Sequence, residues 1–170
     1  IRRPPRSTRF PYTTLFRSSL GWPILAFPSS TPAEKLKVQF DLYRKTFAEC
    51  GHPPENMRIA ATMFTYVAEA RQEAHLTFER AMGKYFGHLD ILTSSAESEQ
   101  RLYDRLPTTA RLSGDPAQVV DDLKIIQDYL GITDVLNVTH FAGELTHEQT
   151  LRSIELFARE VIPAFVAVNA

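Results

Sequence analysis

The chain has 170 residues, of which 19 are basic and 20 acidic, and 44% are hydrophobic. This length supports one ordinary domain with its own core and excludes a disulfide-stapled miniprotein or a disordered tail. The single cysteine, Cys50, excludes an internal disulfide and a cysteine-based zinc site, which suits a reducing compartment.

No apolar run approaches the roughly 20 residues of a membrane span, so we expect a cytoplasmic protein without a membrane partner. Residues 19–170 contain 14 basic and 20 acidic residues, a net charge of −6. This acidic body argues against a nucleic-acid partner.

The first eighteen residues differ in composition from the rest. Residues 1–18 contain five arginines, three prolines and no acidic residue, and they show no regular periodicity. They lack the apolar stretch of a secretory signal, and Pro4, Pro5 and Pro11 would interrupt the helix of a transit peptide. A nucleic-acid-binding arm is an alternative, because arginines alternate with aromatic residues. The string also resembles a translated sequencing adapter, so we predict a disordered, non-native leader before a native sequence that starts at about Ser19.

The first strand–helix unit follows this leader. Residues 20–27 (LGWPILAF) form a nearly continuous apolar run, typical of a strand buried in a parallel sheet, with Pro23 near its start. The segment Thr31-Pro32-Ala33-Glu34 is typical of a helix capping box. Apolar residues at helical spacing then predict a helix that ends at Gly51, with Cys50 packed on its apolar face.

The second unit has the same order. Residues 58–67 (RIAATMFTYV) are rich in β-branched and aromatic residues and predict a buried strand. Residues 69–89 carry an apolar stripe at helical spacing. Residues 93–100 are polar and predict an exposed loop, followed by a short helix over residues 101–106.

The third unit is preceded by its own helix. The segment Asp115-Pro116-Ala117-Gln118 predicts a capped helix that ends at Gly131. Residues 133–138 predict a short strand, residues 139–145 a loop, and Thr146 the cap of a last helix. Strands that alternate with amphipathic helices indicate right-handed crossovers and a parallel sheet, so the predicted fold class is α/β.

Standard catalytic motifs are absent. The sequence contains no dinucleotide-binding glycine motif, P-loop, nucleophile elbow or zinc-protease motif. His140 and His147, with Glu144 and Glu148 nearby, make a metal site conceivable, but strand-end and cap positions explain them more simply, and we predict no metal. His52, before two prolines, is expected to be exposed to solvent, and His75 and His88 are expected at the surface or in packing.

Position in the predicted fold is more informative, because ligands of parallel α/β proteins bind at the carboxyl ends of the strands. Three segments occupy such places, residues 27–30, 67–69 and 139–143. The first combines an aromatic residue with hydroxyls, and the third combines an imidazole, an aromatic residue and a glycine. Core packing and helix capping remain equally good explanations of these residues.

Two long stretches resemble a known family. GDPAQVVDDLKIIQDYLGITDVLN (residues 114–137) and FAGELTHEQTLRSIELFAREVIPAF (residues 141–165) resemble the end of the luciferase-like flavin-dependent monooxygenases. LGWPILAF, with its following helix and GHPP (residues 51–54), is similar to that family's sixth strand and next helix. The resemblance extends over residues 19–165.

The resemblance implies a TIM barrel of which this chain contains the last three strand–helix units, so residues 19–170 would be an incomplete barrel domain. It also implies reduced flavin (FMN) as the cofactor, or alternatively a deazaflavin. Ala26, Phe27 and Ser29 match the strand end that backs the flavin ring. His140 and Phe141 match the place where the substrate approaches, and no catalytic acid or base is assigned.

The function implied by the resemblance is insertion of one atom of dioxygen into an organic substrate. Its implied partners are that substrate, dioxygen and a flavin reductase, and the complete protein is expected to be a homo-oligomer. The alternatives are deazaflavin-dependent hydride transfer and a non-catalytic flavoprotein or interaction domain. We expect the isolated chain to be inactive, because an incomplete barrel leaves sheet edges and apolar inner residues uncovered.

Overall fold

A computed structural model describes residues 9–28, 31–93, 111–139 and 144–168 of the chain. Its helices and strands are α1 (Arg9–Ser19), β1 (Ile24–Ala26), α2 (Ala33–Glu49), β2 (Ile59–Val67), α3 (Arg71–Thr93), β3 (Arg111–Gly114), α4 (Pro116–Leu130), β4 (Asp134–Val138), α5 (His147–Leu156) and α6 (Ile162–Val168). A short 3-10 helix, Pro54–Asn56, precedes β2, and a π-helical segment, Phe157–Val161, joins α5 to α6. Parallel strands alternate with helices, which confirms the predicted α/β class.

The central strand of the sheet is β2, and all of its neighbours run parallel to it. One edge of β2 pairs with β1 through residues 59–61 and with β3 through residues 64–67. The opposite edge pairs with β4 through residues 60–64. Strands β1 and β3 therefore share one edge of β2, one near its amino end and the other near its carboxyl end, and β4 pairs with the opposite edge.

The two faces of the sheet have different surroundings. Side chains alternate along a strand, so the outer face carries Ile24, Ile59, Ala61 and Met63, and α2, α4 and the α5–α6 segment bury these residues in the main core. The largest fully buried side chains of the helices in this core are Leu36, Phe40, Tyr43, Phe47 and Leu130. Burial of this apolar area is the main term that holds the helices on the sheet.

The described residues cover the opposite face, which we call the inner face, only at its carboxyl half. There Tyr66 packs with Phe78 and Met82 of α3, and the rings of Phe64 and Tyr85 lie 5.7 Å apart. At the amino half, Leu25 and Leu136 are each 51% exposed. Helix α3 therefore excludes water from the end of the sheet where β2 and β3 terminate.

Two of the predicted helix caps are confirmed. The Asp115 side chain accepts a hydrogen bond from the Gln118 amide at the start of α4, and Gly131 ends that helix in the left-handed conformation. Thr146 and Gln149 form the reciprocal capping box of α5.

The predicted cap of α2 is wrong. Pro32 occupies the cap position, and no side chain makes a capping hydrogen bond there. The prediction that Cys50 is packed is also wrong, because Cys50 follows the last residue of α2 and is exposed. A residue at the end of a helix can be exposed even when its spacing continues the apolar stripe that is buried one turn earlier.

Three elements differ from the sequence prediction. Strand β1 comprises only Ile24–Ala26, because α1 and a turn occupy residues up to 21 and Pro23 cannot donate to a ladder. Strand β3 was not predicted, since four residues give too little periodicity. Of the loop and helix predicted over residues 93–106, Thr93 instead ends α3, and residues 94–106 lie outside the described residues.

The expectation of a disordered leader is wrong for residues 9–18, which belong to α1. Pro11 lies in the first turn of this helix, where a missing amide hydrogen costs little. Ser18 is fully buried and donates to the Thr14 carbonyl oxygen at 2.8 Å, and the Trp22 amide donates to the Arg17 carbonyl oxygen. The foreign origin of these residues stays a prediction.

Candidate functional site

Two of the predicted cofactor residues lie at the carboxyl end of β1. Ala26 is the last residue of the strand and pairs with Ala61, and Phe27 follows it with 53% of its surface exposed. The predictions for Ser29, His140 and Phe141 concern residues outside the described part of the chain. The structure therefore positions the first half of the predicted site only.

Ala26 and Phe27 line a cavity of about 440 Å³. It lies along the edge of β1 that is not paired with β2, between α1 and α2. Its other lining residues are Thr13, Thr14, Arg17, Ile24, Leu25, Thr31, Leu36, Gln39 and Phe40. The volume falls within the range of roughly 300–1,000 Å³ typical of small-molecule sites, and the lining combines apolar side chains with hydroxyl, amide and guanidinium groups.

A hydrogen-bonded pair missed by the sequence analysis lies at the carboxyl end of the inner face. Ser113 of β3 pairs with Tyr66 of β2, and its hydroxyl lies 2.8 Å from Nδ1 of His75 on α3. Tyr66 and Ser113 are buried, and His75 is half-buried. No sequence spacing links these residues, which come together only because α3 folds back over the sheet. An imidazole oriented by a hydroxyl at a strand end can donate or accept a hydrogen bond toward a ligand.

Tyr66 is held in its neutral form. Burial raises the pKa of the Tyr66 hydroxyl, and the nearby Glu73 carboxylate raises that pKa further, while Arg80 and Arg152 oppose the change. The phenol therefore stays protonated at neutral pH and presents a hydrogen-bond donor at the end of β2.

Three ion pairs surround this end of the sheet. Arg71 contacts Asp115 through two nitrogen–oxygen distances of 3.1 and 3.3 Å. The Lys84 Nζ atom of α3 lies 3.1 Å from the Glu144 carboxylate. The third pair, Glu69 with Arg152 of α5, is bidentate and exposed.

Two of these carboxylates have a lowered pKa. The amide of Gln118 and then the Arg71 guanidinium lower the pKa of Asp115. The Arg152 guanidinium lowers the pKa of Glu69. Both groups are therefore ionised at neutral pH and neutralise their basic partners.

One buried polar atom of the inner face has no hydrogen-bond partner among the described residues. Thr62 is 5% exposed, and its Oγ1 atom is fully buried between the levels of Ala60 and Phe64 on β2. Such orphaned hydroxyls are uncommon in folded proteins and often indicate a missing ligand, water or protein partner.

Within the described ranges, no three His, Cys, Asp or Glu side chains are arranged to hold a metal ion. None of the described helices has the length and hydrophobicity needed to cross a membrane.

Comparison with protein families gives a match over most of the chain. A model of the luciferase-like monooxygenases matches residues 18–131. A search of curated proteins found no match.

Comparison with solved structures finds the same fold in several enzymes. The monooxygenase RslO1 from Streptomyces bottropensis is 21% identical with a TM-score of 0.73, and the match covers 91% of this chain and 45% of that chain. The oxygenating constituent of 3,6-diketocamphane monooxygenase from Pseudomonas putida, solved with FMN, is 18% identical with a TM-score of 0.61, and the match covers 88% and 44%. The coenzyme F420-dependent tetrahydromethanopterin reductase from Methanopyrus kandleri is 15% identical with a TM-score of 0.63, and the match covers 91% and 48%.

These likenesses establish the fold. The chain is part of a TIM barrel and spans under half the length of each of these structures. In a closed barrel the inner face defined above faces the barrel interior, and the ends of β1, β2 and β3 lie at the face where active sites form.

Proposed function

Because the chain belongs to the luciferase-like monooxygenase family, we propose that it contributes to a flavin-dependent monooxygenase. The observation that carries this proposal is the position of Ala26 and Phe27 at the carboxyl end of a barrel strand. Both also line the 440 Å³ cavity along the unpaired edge of β1, where α1 supplies one wall. Family membership supports the proposed reaction class, and the strand-end position supports the proposed place of the site.

The residues present fit a flavin. A flavin ring is flat and largely apolar, with hydrogen-bonding atoms on its edge. The half-exposed Phe27 ring offers an aromatic face for stacking, while Ala26 shares the outer face with Ala61 and packs against the main core. Thr31 and Gln39 in the same cavity supply hydrogen-bonding groups, as the ring edge requires.

The proposed chemistry divides between cofactor and protein. When bound, a reduced flavin would supply two electrons, so that one atom of dioxygen enters the organic substrate and the other leaves as water. The chain's own contribution is to position the flavin and the substrate and to exclude water from them. Phe27 would back the ring. Helix α3 covers the carboxyl half of the inner face, and Tyr66 and His75 present hydrogen-bonding groups there.

The source of reduced flavin is also part of the proposal. The 3,6-diketocamphane relative is described as the oxygenating constituent of its enzyme. That description supports a separate flavin reductase as the partner of this protein. Because the chain spans under half the length of RslO1 and of the 3,6-diketocamphane enzyme, we propose that the isolated chain binds flavin without catalysing the reaction.

Flavin titration tests the proposal. We expect FMN to bind the full chain, and Phe27→Ala to weaken binding about 2- to 10-fold, since a ring-stacking contact contributes roughly 0.5–1.5 kcal/mol. The matched control is Tyr129→Ala on α4, because Tyr129 is an aromatic residue of similar exposure, 41%, that does not line the cavity. Equal loss in both variants, or no FMN binding at all, would contradict the proposal.

A parallel titration with coenzyme F420 separates the monooxygenase from the alternative. The reductase from Methanopyrus kandleri shares the fold and depends on that deazaflavin. If this chain binds F420 in preference to FMN, hydride transfer without oxygen replaces monooxygenation as the proposed reaction.

A further inference from the structure

Helix α1 lies along the edge of β1 that is not paired with β2. The Ile24 amide donates to the Arg58 carbonyl oxygen, just before β2, at 3.1 Å. Since the carbonyl and the amide of one trans peptide point in opposite directions, the Pro23 carbonyl points away from β2, toward the unpaired edge. There it accepts a hydrogen bond from Nε of Arg17 on α1 at 2.8 Å. A side chain of α1 therefore takes the place of the amide that a neighbouring strand would supply.

The turn that follows α1 is attached to α2 and to the residues after α2. The Tyr43 hydroxyl donates to the Trp22 carbonyl oxygen at 2.9 Å, and Nε2 of His52 lies 3.0 Å from the Ser19 carbonyl oxygen. Gly21 has a φ of 68°, and the His52 ring packs so closely on it that a Cβ there would lie 3.0 Å from Nδ1. These contacts direct α1 along the edge of β1.

Little apolar area holds the helix itself in place. The described buried side chains of α1 are Thr14 and Ser18, at 8% and 0% exposure, whereas Leu15 and Phe16 are 40% and 47% exposed. Both buried residues are small and polar, and the Ser18 hydroxyl donates to the Thr14 carbonyl oxygen within the helix. The cavity of about 440 Å³ between α1 and α2 reduces the contact further. Because apolar burial is the main term that attaches a helix to a sheet, α1 should separate from β1 at a small cost in free energy.

Strand β4 presents a second unpaired edge among the described strands. The Thr133 amide donates to the Ile59 carbonyl oxygen at 2.9 Å, so Thr133 and Val135 face β2, and the amide of Leu136 points to the opposite side. In a closed barrel every strand pairs on both sides, so this edge and the edge of β1 are both suited to pairing. Since all of the strands are parallel, β4 of a second copy can extend the sheet beyond β1 in the same direction.

We propose that α1 is a displaceable cap on the edge of β1, and that its release lets β4 of a second copy of the chain pair there. The cap keeps this chain monomeric, because an uncovered strand edge is a template for pairing with another chain. Each copy uses two different edges, so the contact is head-to-tail and either closes into a ring or extends into larger assemblies. The inference is independent of the proposed function, since none of these steps requires flavin.

Sedimentation velocity of the full chain and its variants, over a wide range of protein concentrations, tests the proposal. Ser18→Arg places a charged side chain in a fully buried position and should release α1. Because apparent affinity rises with the released fraction, we expect this variant to associate at least about tenfold more strongly than the wild type. The matched control is Ser19→Arg, since Ser19 is the next residue and is exposed, and this variant should stay monomeric like the wild type.

Amide hydrogen exchange in the same samples shows whether the cap is released. The Trp22 amide donates to the Arg17 carbonyl oxygen at 2.8 Å, so it should exchange faster in Ser18→Arg, while the amides of β2 stay protected. A second substitution identifies the strand that pairs with β1. Leu136→Pro, added to Ser18→Arg, removes an outward amide of β4 and should restore the monomer, because proline cannot donate to a ladder.

Three results would overturn the inference. They are equal association of the wild type and Ser18→Arg, a Trp22 amide that stays protected in Ser18→Arg, and association that Leu136→Pro leaves unchanged. If Ser18→Arg exposes the amides of β2, Arg17→Ala decides instead, since it removes only the hydrogen bond to Pro23 and the cation–π contact with Trp22. We expect Arg17→Ala to strengthen association about 2- to 10-fold, and no change would overturn the inference.

Discussion

A single serine hydroxyl completes the hydrogen bonding of the sheet at the candidate site. Successive amides of β2 point to opposite edges, and the Ala68 amide donates to Gly114 on the β3 side. The Val67 amide therefore points to the β4 side, where pairing has already ended at Val138. The hydroxyl of Ser153 on α5 accepts a hydrogen bond from this amide, with a nitrogen–oxygen distance of 2.8 Å.

Ser153→Ala should destabilise the protein by about 2 kcal/mol. Val67 and Ser153 are each 1% exposed, so the substitution removes the acceptor and leaves a buried amide unsatisfied, which costs roughly 1–3 kcal/mol. The space vacated by one hydroxyl is too small for a water with its own partners. For a domain of 170 residues this corresponds to a Tm lower by roughly 4–8 °C.

Urea denaturation followed by circular dichroism measures the change, and amide exchange at Val67 should become faster. Thr150→Ala is the control, because its exposed hydroxyl only donates to the Thr146 carbonyl within the same helix. We expect this control to stay within about 0.5 kcal/mol of the wild type. The reasoning is refuted if Ser153→Ala also stays within that margin, or if Thr150→Ala loses as much.

Three further predictions use other parts of the chain. Gly131→Ala should lower the free energy of unfolding in urea by more than Gly51→Ala does. Both glycines have positive φ, but a Cβ at Gly131 also displaces the Arg44 guanidinium from the carbonyl oxygens of Leu130 and Gly131. Equal losses of stability in the two variants would contradict this. Because the pKa of Asp115 is lowered in the folded protein, this carboxylate stabilises the fold at pH values above its ordinary pKa of 3.8, and the contribution is lost as the pH falls through the lower folded pKa. Asp115→Asn should therefore make the free energy of unfolding depend less on pH in the acid range. A pH profile parallel to that of the wild type would refute this. The exposed Cys50 should react with a thiol reagent in the native state as fast as in urea, and strong protection would show that it is packed.

Local sequence features predicted the elements with strong local causes. The Asp115 and Thr146 caps form because each side chain reaches an amide three residues later, and that geometry needs no tertiary context. The buried strand β2 was predictable because both of its faces are apolar. The sequence did not predict the short strand β3, since it has only four residues and gains its stability from pairing with β2.

The sequence by itself determined the α/β class, the parallel sheet and the strand-end position of Ala26 and Phe27, because hydrophobic periodicity and helix caps act over a few residues. Only the tertiary structure decided that α3 folds over the inner face and brings His75 to Ser113, 38 residues later in the chain. It alone also placed the Ser153 hydroxyl on the unpaired amide of Val67, 86 residues earlier. Contacts between distant residues depend on how elements pack together, and no local pattern encodes that arrangement.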